Sequence, residues 1–257
     1  MTHRLVLLLL VVLLALPVSA GAAPYRNALS LDLSSKVSAA PSNVVAQANG
    51  TAVPKLADEA NQADVQTLAA ALVFAKTGTT SYRDKVCRNL NIVVGTQTAA
   101  RALGVGRGVQ AYALAADYVN APANCPNEAK FRSWLASMRT FATSGGPANM
   151  TVCDEVRPNN WGTHCGASRA AADIYLGDTT DLTRAATVFK GWLGDRSAYV
   201  GFKFTSPAET WGPDRATLPR AMAIQWMVFM LLPLIAVPPA QARLAWPEPG
   251  WPEPAPG

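Results

Sequence analysis

Histidine, clustered positive charge and alternating hydrophobic patterns are all scarce in this sequence of 257 residues. Only two histidines occur, His3 and His164, so imidazole chemistry in the body of the chain depends on His164. No block of Lys and Arg occurs, which argues against a nucleic-acid-binding tail. The formal net charge of +5 nevertheless permits an acidic polymer as a partner. No stretch alternates polar and apolar residues as a half-buried strand would, so an all-α fold is predicted.

The two ends of the chain differ in composition from its middle. Residues 1–23 have a basic start, an apolar run and then small residues, which is the layout of a signal peptide. An N-terminal membrane anchor is the alternative. Residues 24–57 are rich in Ser, Ala, Asn and Pro, and we expect an extended lead-in. Residues 215–257 contain an apolar run at 221–237 and a proline-rich end, which indicate a membrane helix or an altered reading frame. The expected domain is therefore 58–214, in a secreted or periplasmic protein.

The middle of the chain carries apolar residues at helical spacing. Six helices are predicted, over residues 58–76, 81–98, 109–119, 127–143, 159–175 and 179–192. Val65, Leu68 and Leu72 share the face of the first helix that we expect to point inward. The glycines at 104–108 are predicted to interrupt the helical pattern, the stretch 144–158 to be irregular, and Thr179 or Thr180 to cap the last helix. Short turns between helices indicate antiparallel pairs.

The four cysteines are even in number and lack the paired Cys-x-x-Cys spacing of structural zinc sites. In an exported chain an even count indicates disulfides. Three pairings are possible, and we favour Cys87–Cys125 and Cys153–Cys165, the second of which closes a short loop. The alternative is a zinc site formed by Cys153, His164, Cys165 and one more ligand.

The stretch 157–175 combines amide, imidazole and indole side chains with a run of small residues. If a helix begins at Asn159 or Asn160, then Asn160 and His164 lie four residues apart on one face. Unpaired backbone N–H groups at a helix start favour an anion nearby. An amide that donates to a carboxylate, beside an imidazole that accepts a proton, suits proton abstraction alpha to that carboxylate. The simpler interpretations are an asparagine N-cap and a structural histidine.

The string NNWGTH at residues 159–164 resembles the active-site segment of alginate-lyase-type polysaccharide lyases, which have an all-helical (α/α) toroid fold. Patterns elsewhere also resemble secreted bacterial members of that family, at residues 104–107, 110–117 and 175–178. The resemblance covers roughly residues 55–205. It implies an incomplete (α/α) toroid of antiparallel helix pairs, because the C-terminal part of the family pattern is not matched.

The resemblance also implies β-elimination at a uronic acid of a polyuronate such as alginate or glucuronan. Asn160 would neutralise the substrate carboxylate, and His164 would be the base for the C5 proton. A guanidinium binds carboxylate bidentately, so Arg107 is expected to contact the carboxylate as well. The substrate-binding residues implied with it are Tyr112, Asn159 and Trp161. No metal or cofactor is implied, because amide and guanidinium groups neutralise the charge.

The family's second catalytic tyrosine is not matched in the sequence. Tyr175 and Tyr199 are the nearest downstream tyrosines, and neither lies in a matching motif. Three hypotheses therefore stay open. The first is a secreted polyuronate lyase, the second is a remnant or non-catalytic protein that binds acidic polysaccharide, and the third is a helical module tethered by residues 221–237.

Overall fold

The structure is a computed structural model and describes residues 40–193 and 195–203. Within these residues the backbone forms nine α-helices and no strand. They are α1 Ser42–Ala48, α2 Ala63–Thr77, α3 Thr80–Val93, α4 Ala102–Tyr118, α5 Ala121–Asn124, α6 Glu128–Met138, α7 Met150–Val156, α8 Asn160–Leu176 and α9 Thr179–Trp192. The all-α prediction is confirmed for this part of the chain. The expected signal peptide and the atypical tail at 215–257 lie outside the described residues.

Two helix hairpins are antiparallel, as the short turns predict. Gly78 ends α2 in the left-handed conformation, and Gly177 ends α8 in the same way. Across the first hairpin, the Nδ2 of Asn89 donates to the Oγ1 of Thr67 at 2.8 Å, and both residues lie eleven positions from the turn. Across the second, Gly162 near the start of α8 packs against Trp192 at the end of α9.

The centre of the fold is the contact between α4 and α8, which run in the same direction. A Cβ on Gly106 would lie 2.7 Å from the Sγ of Cys165. One turn further along, the backbone N–H of Gln110 donates to the Oγ of Ser168 at 2.9 Å. The prediction that the glycines at 104–108 interrupt the helix is therefore wrong. They lie inside α4, where the missing side chain of Gly106 lets the backbone approach α8 closely, while Gly104 and Gly108 face the residues around Leu56 and Glu59.

Two short helices and one cap also differ from the prediction. Helix α1 lies within the lead-in that we expected to be extended, and α7 lies within the stretch 144–158 that we expected to be irregular. Both have only seven residues, too few to show helical periodicity. The Oδ1 of Asp178 accepts from the backbone N–H of Asp181 at 3.1 Å, so Asp178 caps α9 instead of Thr179 or Thr180.

The disulfide pairs Cys87–Cys125 and Cys153–Cys165 are both present, which confirms the favoured pairing. The first joins α3 to the residue after α5, and the second joins α7 to α8. Cys153 and Cys165 are thus not thiolate ligands, so the zinc alternative is wrong. No helix in the described part of the chain has the length and apolar character to span a membrane, and residues 221–237 lie outside it.

A network of ion pairs fixes α8 against its neighbours. Arg169 is only 1% exposed. Its Nη1 lies 3.1 Å from the Oδ2 of Asp154 on α7, and its Nη2 lies 2.5 Å from the Oδ1 of Asp181 on α9. Arg139, after α6, lies 2.7 Å from Asp173 of α8. Because Arg169, Asp154 and Asp173 are buried, their charges depend on these partners, which hold α8 against its neighbours.

Candidate functional site

A groove of about 570 Å³ opens between α1, α2 and α4, and one side chain of α8 reaches it. Most of its lining is apolar, from Val44, Val65, Leu68, Ala69, Leu72, Ala111 and Leu114. Its polar lining includes Asp64, Arg107, Gln110 and His164. A mostly apolar cleft with a few convergent polar groups is the usual form of a ligand site, so this groove is the candidate site.

His164 is the fifth residue of α8 and is 7% exposed. Burial, and after it the nearby positive charge of Arg107, together lower the pKa of its imidazole from 6.5 to about 4. Its side chain is therefore uncharged at neutral pH, which is the form that accepts a proton. The same low pKa makes the imidazole a weak base in the free protein.

Arg107 projects from α4 toward His164 and Asp64, and its charge influences the pKa of each. Its Nη2 donates to the backbone carbonyl of Glu59 at 2.5 Å, which fixes the guanidinium at the groove. A guanidinium has five N–H donors, so further donors are available to an anion in the groove. Burial raises the pKa of Asp64, while Arg107 partly offsets this.

Gln110 lies one turn after Arg107 on α4 and is 7% exposed. Its Nε2 lies 3.4 Å from the carbonyl of Arg107. Within residues 40–193 and 195–203, its Oε1 has no hydrogen-bond partner. A buried amide oxygen without a donor is unfavourable unless a ligand or water supplies one. Gln110 therefore offers an acceptor inside the groove.

The two asparagines of the NNWGTH string, Asn159 and Asn160, lie outside the groove that His164 lines. Asn159 is the N-cap of α8, and its Oδ1 accepts from the backbone N–H of Trp161 at 3.0 Å. Asn160 is the first residue of α8 and is exposed. Neither residue lines the groove. The structure thus brings together Arg107 and His164, but not Asn160, at this site.

Trp161 is half-buried and does not line the groove either. Gly146 packs against its ring, where a Cβ would lie 2.3 Å from the Cζ3 atom. The guanidinium carbons of Arg101 and Arg157 lie 5.3 Å and 5.8 Å from the ring centroid. These contacts make Trp161 part of the packing between α8 and the segment before α7.

The tyrosines considered from the sequence also lie away from the groove lining. Tyr112 is 1% exposed, and burial together with Asp64 raises the pKa of its phenol far above the ordinary value. Tyr175 donates to the Oε1 of Glu128 at 3.0 Å. Tyr199 donates to the carbonyl of Glu155 at 2.6 Å. All three phenols are protonated at neutral pH, so none of them is available as a base.

Comparison with known proteins gives no further assignment: no family model, no curated protein and no solved structure matches this chain. The residues that the structure describes also contain no cluster of His, Cys, Asp and Glu side chains suited to a metal ion.

Sequence reasoning missed Gln110, Asp64 and the apolar wall as parts of the site. Gln110 carried a usable signal, because a residue three positions after Arg107 shares its helix face. Asp64 carried none, since an acidic residue in the first turn of a helix is ordinarily explained by the helix dipole. Val65, Leu68 and Leu72 of α2, which form the apolar wall of the groove, have the spacing of an ordinary core-facing helix surface.

Proposed function

We propose that this protein is a lyase that cleaves a polyuronate, such as alginate or glucuronan, by β-elimination. The observation that carries the proposal is that a guanidinium and an uncharged imidazole, those of Arg107 and His164, line one groove. The first suits the carboxylate of a uronic acid, and the second suits its C5 proton. The resemblance of residues 159–164 to the active-site segment of alginate-lyase-type enzymes supports the same reaction.

The elimination follows from these two side chains. Arg107 binds the carboxylate and stabilises the negative charge that develops on it. His164 takes the proton from C5, the electron pair forms a C4=C5 double bond, and the C4–O4 bond breaks. The leaving oxygen takes a proton from solvent, and His164 then releases its own proton to solvent. The products are an unsaturated uronate and a new chain end.

Arg107 fits the role of carboxylate contact better than Asn160 does, because Asn160 does not line the groove. We further propose that the helix pairs form an incomplete (α/α) toroid. The antiparallel pairs α2–α3 and α8–α9 and the parallel contact of α4 with α8 support that arrangement. The two disulfides are compatible with the proposed secreted or periplasmic location.

A second candidate function is binding of acidic polysaccharide without cleavage. It is favoured by the tyrosines, because the hydroxyls of Tyr175 and Tyr199 are engaged elsewhere in the fold. The described part of the groove thus supplies a carboxylate contact and a base, but no tyrosine as a proton donor to O4. A protein of this kind would hold a polyuronate through Arg107 and leave it intact.

The test is incubation with alginate and glucuronan, followed by the ultraviolet absorbance of unsaturated uronates. We expect absorbance to rise with the wild type and not with His164→Gln, which still binds the polymer. Arg107→Gln should weaken binding, whereas Arg88→Gln, an exposed arginine outside the groove, should behave as the wild type. Binding without any rise in the wild type would favour the second function. Full activity in His164→Gln would refute the role of His164.

A further inference from the structure

One side of the groove is an apolar wall that extends along α2. Val65, Leu68 and Leu72 lie on one face of α2, at the spacing of successive helix turns, and all three line the groove. Val65 is 46% exposed, although it is a large hydrophobic residue. Seven residues of helix span about 10 Å, so the wall is long enough for a short acyl chain.

The polar residues of the groove, among them Asn43, Gln47 and Gln62, can bind hydroxyl groups of a uronate ring. A hydroxyl group that faces the apolar wall has no such partner and loses hydrogen bonds to water, which is unfavourable. An ester on a hydroxyl removes that donor and adds an apolar chain. Burial of the chain against Leu68 and Leu72 is favourable, because apolar surface leaves water.

Two of the polar groups that line the groove indicate further features of the ligand. The guanidinium of Arg107 requires an anionic group, which the carboxylate of a uronate provides. The buried Oε1 of Gln110, which has no donor among the described residues, requires a hydroxyl or N–H. A ligand with a carboxylate, at least one free donor and an apolar substituent would match these three features of the groove.

We propose that the groove accepts a uronate that bears an acyl ester, with the carboxylate at Arg107, a free hydroxyl donating to Gln110 and the acyl chain against Leu68 and Leu72. This inference rests on the proposed function, because it names the substrate of the same site. It makes α2 the element that selects acylated over bare polyuronate.

The test compares the binding of one polyuronate in four forms: unmodified, acetylated, propionylated and butyrylated. Each buried methylene should strengthen binding about fourfold. Leu68→Gln, which keeps the length and helical preference of the side chain, should abolish this increment. Val152→Asn replaces an exposed apolar residue on α7, outside the groove, and should keep it. Val65→Thr, a change of similar shape at the exposed edge of the wall, should weaken the increment even if Leu68→Gln does not fold.

The outcomes separate this inference from the function on which it rests. A stepwise gain along the series, lost in the variants of α2 and kept in Val152→Asn, supports the acyl site. Equal binding of all four polymers overturns the acyl site and leaves polyuronate binding intact. No binding of any polymer overturns the proposed function as well. Octanoate, a carboxylate with an apolar chain, is titrated as a separate ligand. Its binding with no binding of polyuronate overturns both proposals and identifies a site for simple amphiphiles.

Discussion

Acidification is expected to destabilise this protein through His164. The imidazole has a pKa of about 4 in the fold, against 6.5 in an unfolded chain, because it is buried beside Arg107. Between about pH 4 and pH 6.5 the folded state therefore binds fewer protons at His164 than the unfolded state does. Stability from the uncharged imidazole is complete above pH 6.5, declines as the pH falls, and is lost below about pH 4. The shift corresponds to about 3 kcal/mol in total, of which about 2 kcal/mol is lost by pH 5.

Two buried carboxyl groups have the opposite effect and make a control necessary. Burial raises the pKa of Asp154 and of Asp173 to about 7. These groups bind more protons in the folded state than in the unfolded state, so their contribution to stability is present at low pH and lost as the pH rises toward 7. The pH dependence of the wild type alone thus mixes opposing effects. The difference between the wild type and His164→Gln isolates the imidazole.

The assay is urea denaturation, followed by tryptophan fluorescence, at pH 7.5, 6.0 and 5.0. We expect the free energy of unfolding of the wild type to fall by about 2 kcal/mol relative to His164→Gln between pH 7.5 and 5.0. Arg107→Gln should reduce that change, because it removes one cause of the low pKa, while Arg88→Gln should leave it unaltered. If the difference between the wild type and His164→Gln does not vary with pH, His164 has an ordinary pKa and the site as described is refuted.

Two further predictions concern the packing that holds α8 in place, and urea denaturation measures both. Arg169→Leu should lower the free energy of unfolding by about 3 to 5 kcal/mol, because it leaves the buried carboxylate of Asp154 unpaired. Arg184→Leu, which removes an exposed pair, should lower it by less than about 1 kcal/mol. Equal losses for the two variants would contradict the network. Gly106→Ala should lower it by about 1 to 3 kcal/mol, because the new methyl group meets Cys165. Gly145→Ala, which meets only side-chain atoms at 3.6 Å or more, should have a smaller effect, and a neutral Gly106→Ala would contradict the close contact of α4 with α8.

The helices that sequence predicts best are those that carry their own start and stop signals. Helix α8 begins after an asparagine cap and ends at a glycine, and its predicted bounds differ from the observed ones by no more than a residue. The glycines at 104–108 were predicted to interrupt the helical pattern, but α4 continues through them. Their place in α4 depends on neighbours that are distant in sequence, Cys165 of α8 for Gly106 and the residues around Leu56 and Glu59 for Gly104 and Gly108. Local patterns carry no information about such neighbours.

The site was less predictable than the fold for a related reason. Asn160 and His164 have the spacing of one helix face, yet one is exposed and the other is buried. The position of α4 against α8 decides this difference, and the spacing within α8 does not contain it. Val65 shows the converse case. It has the pattern of a core residue, but it is exposed and lines the open groove between α1, α2 and α4.

Arg107 has two opposing roles in the proposed reaction, and the substrate reconciles them. In the free protein its charge lowers the pKa of His164 and so weakens the base. A uronate carboxylate bound to Arg107 would offset that charge and place a negative group near the imidazole, which raises the pKa of the base. His164 would thus be most basic when the carboxylate is in place, at the moment when the C5 proton has to be removed. A neutral saccharide in the same groove would leave the base weak, so in the proposed reaction the same pair of side chains would account for both binding and selectivity.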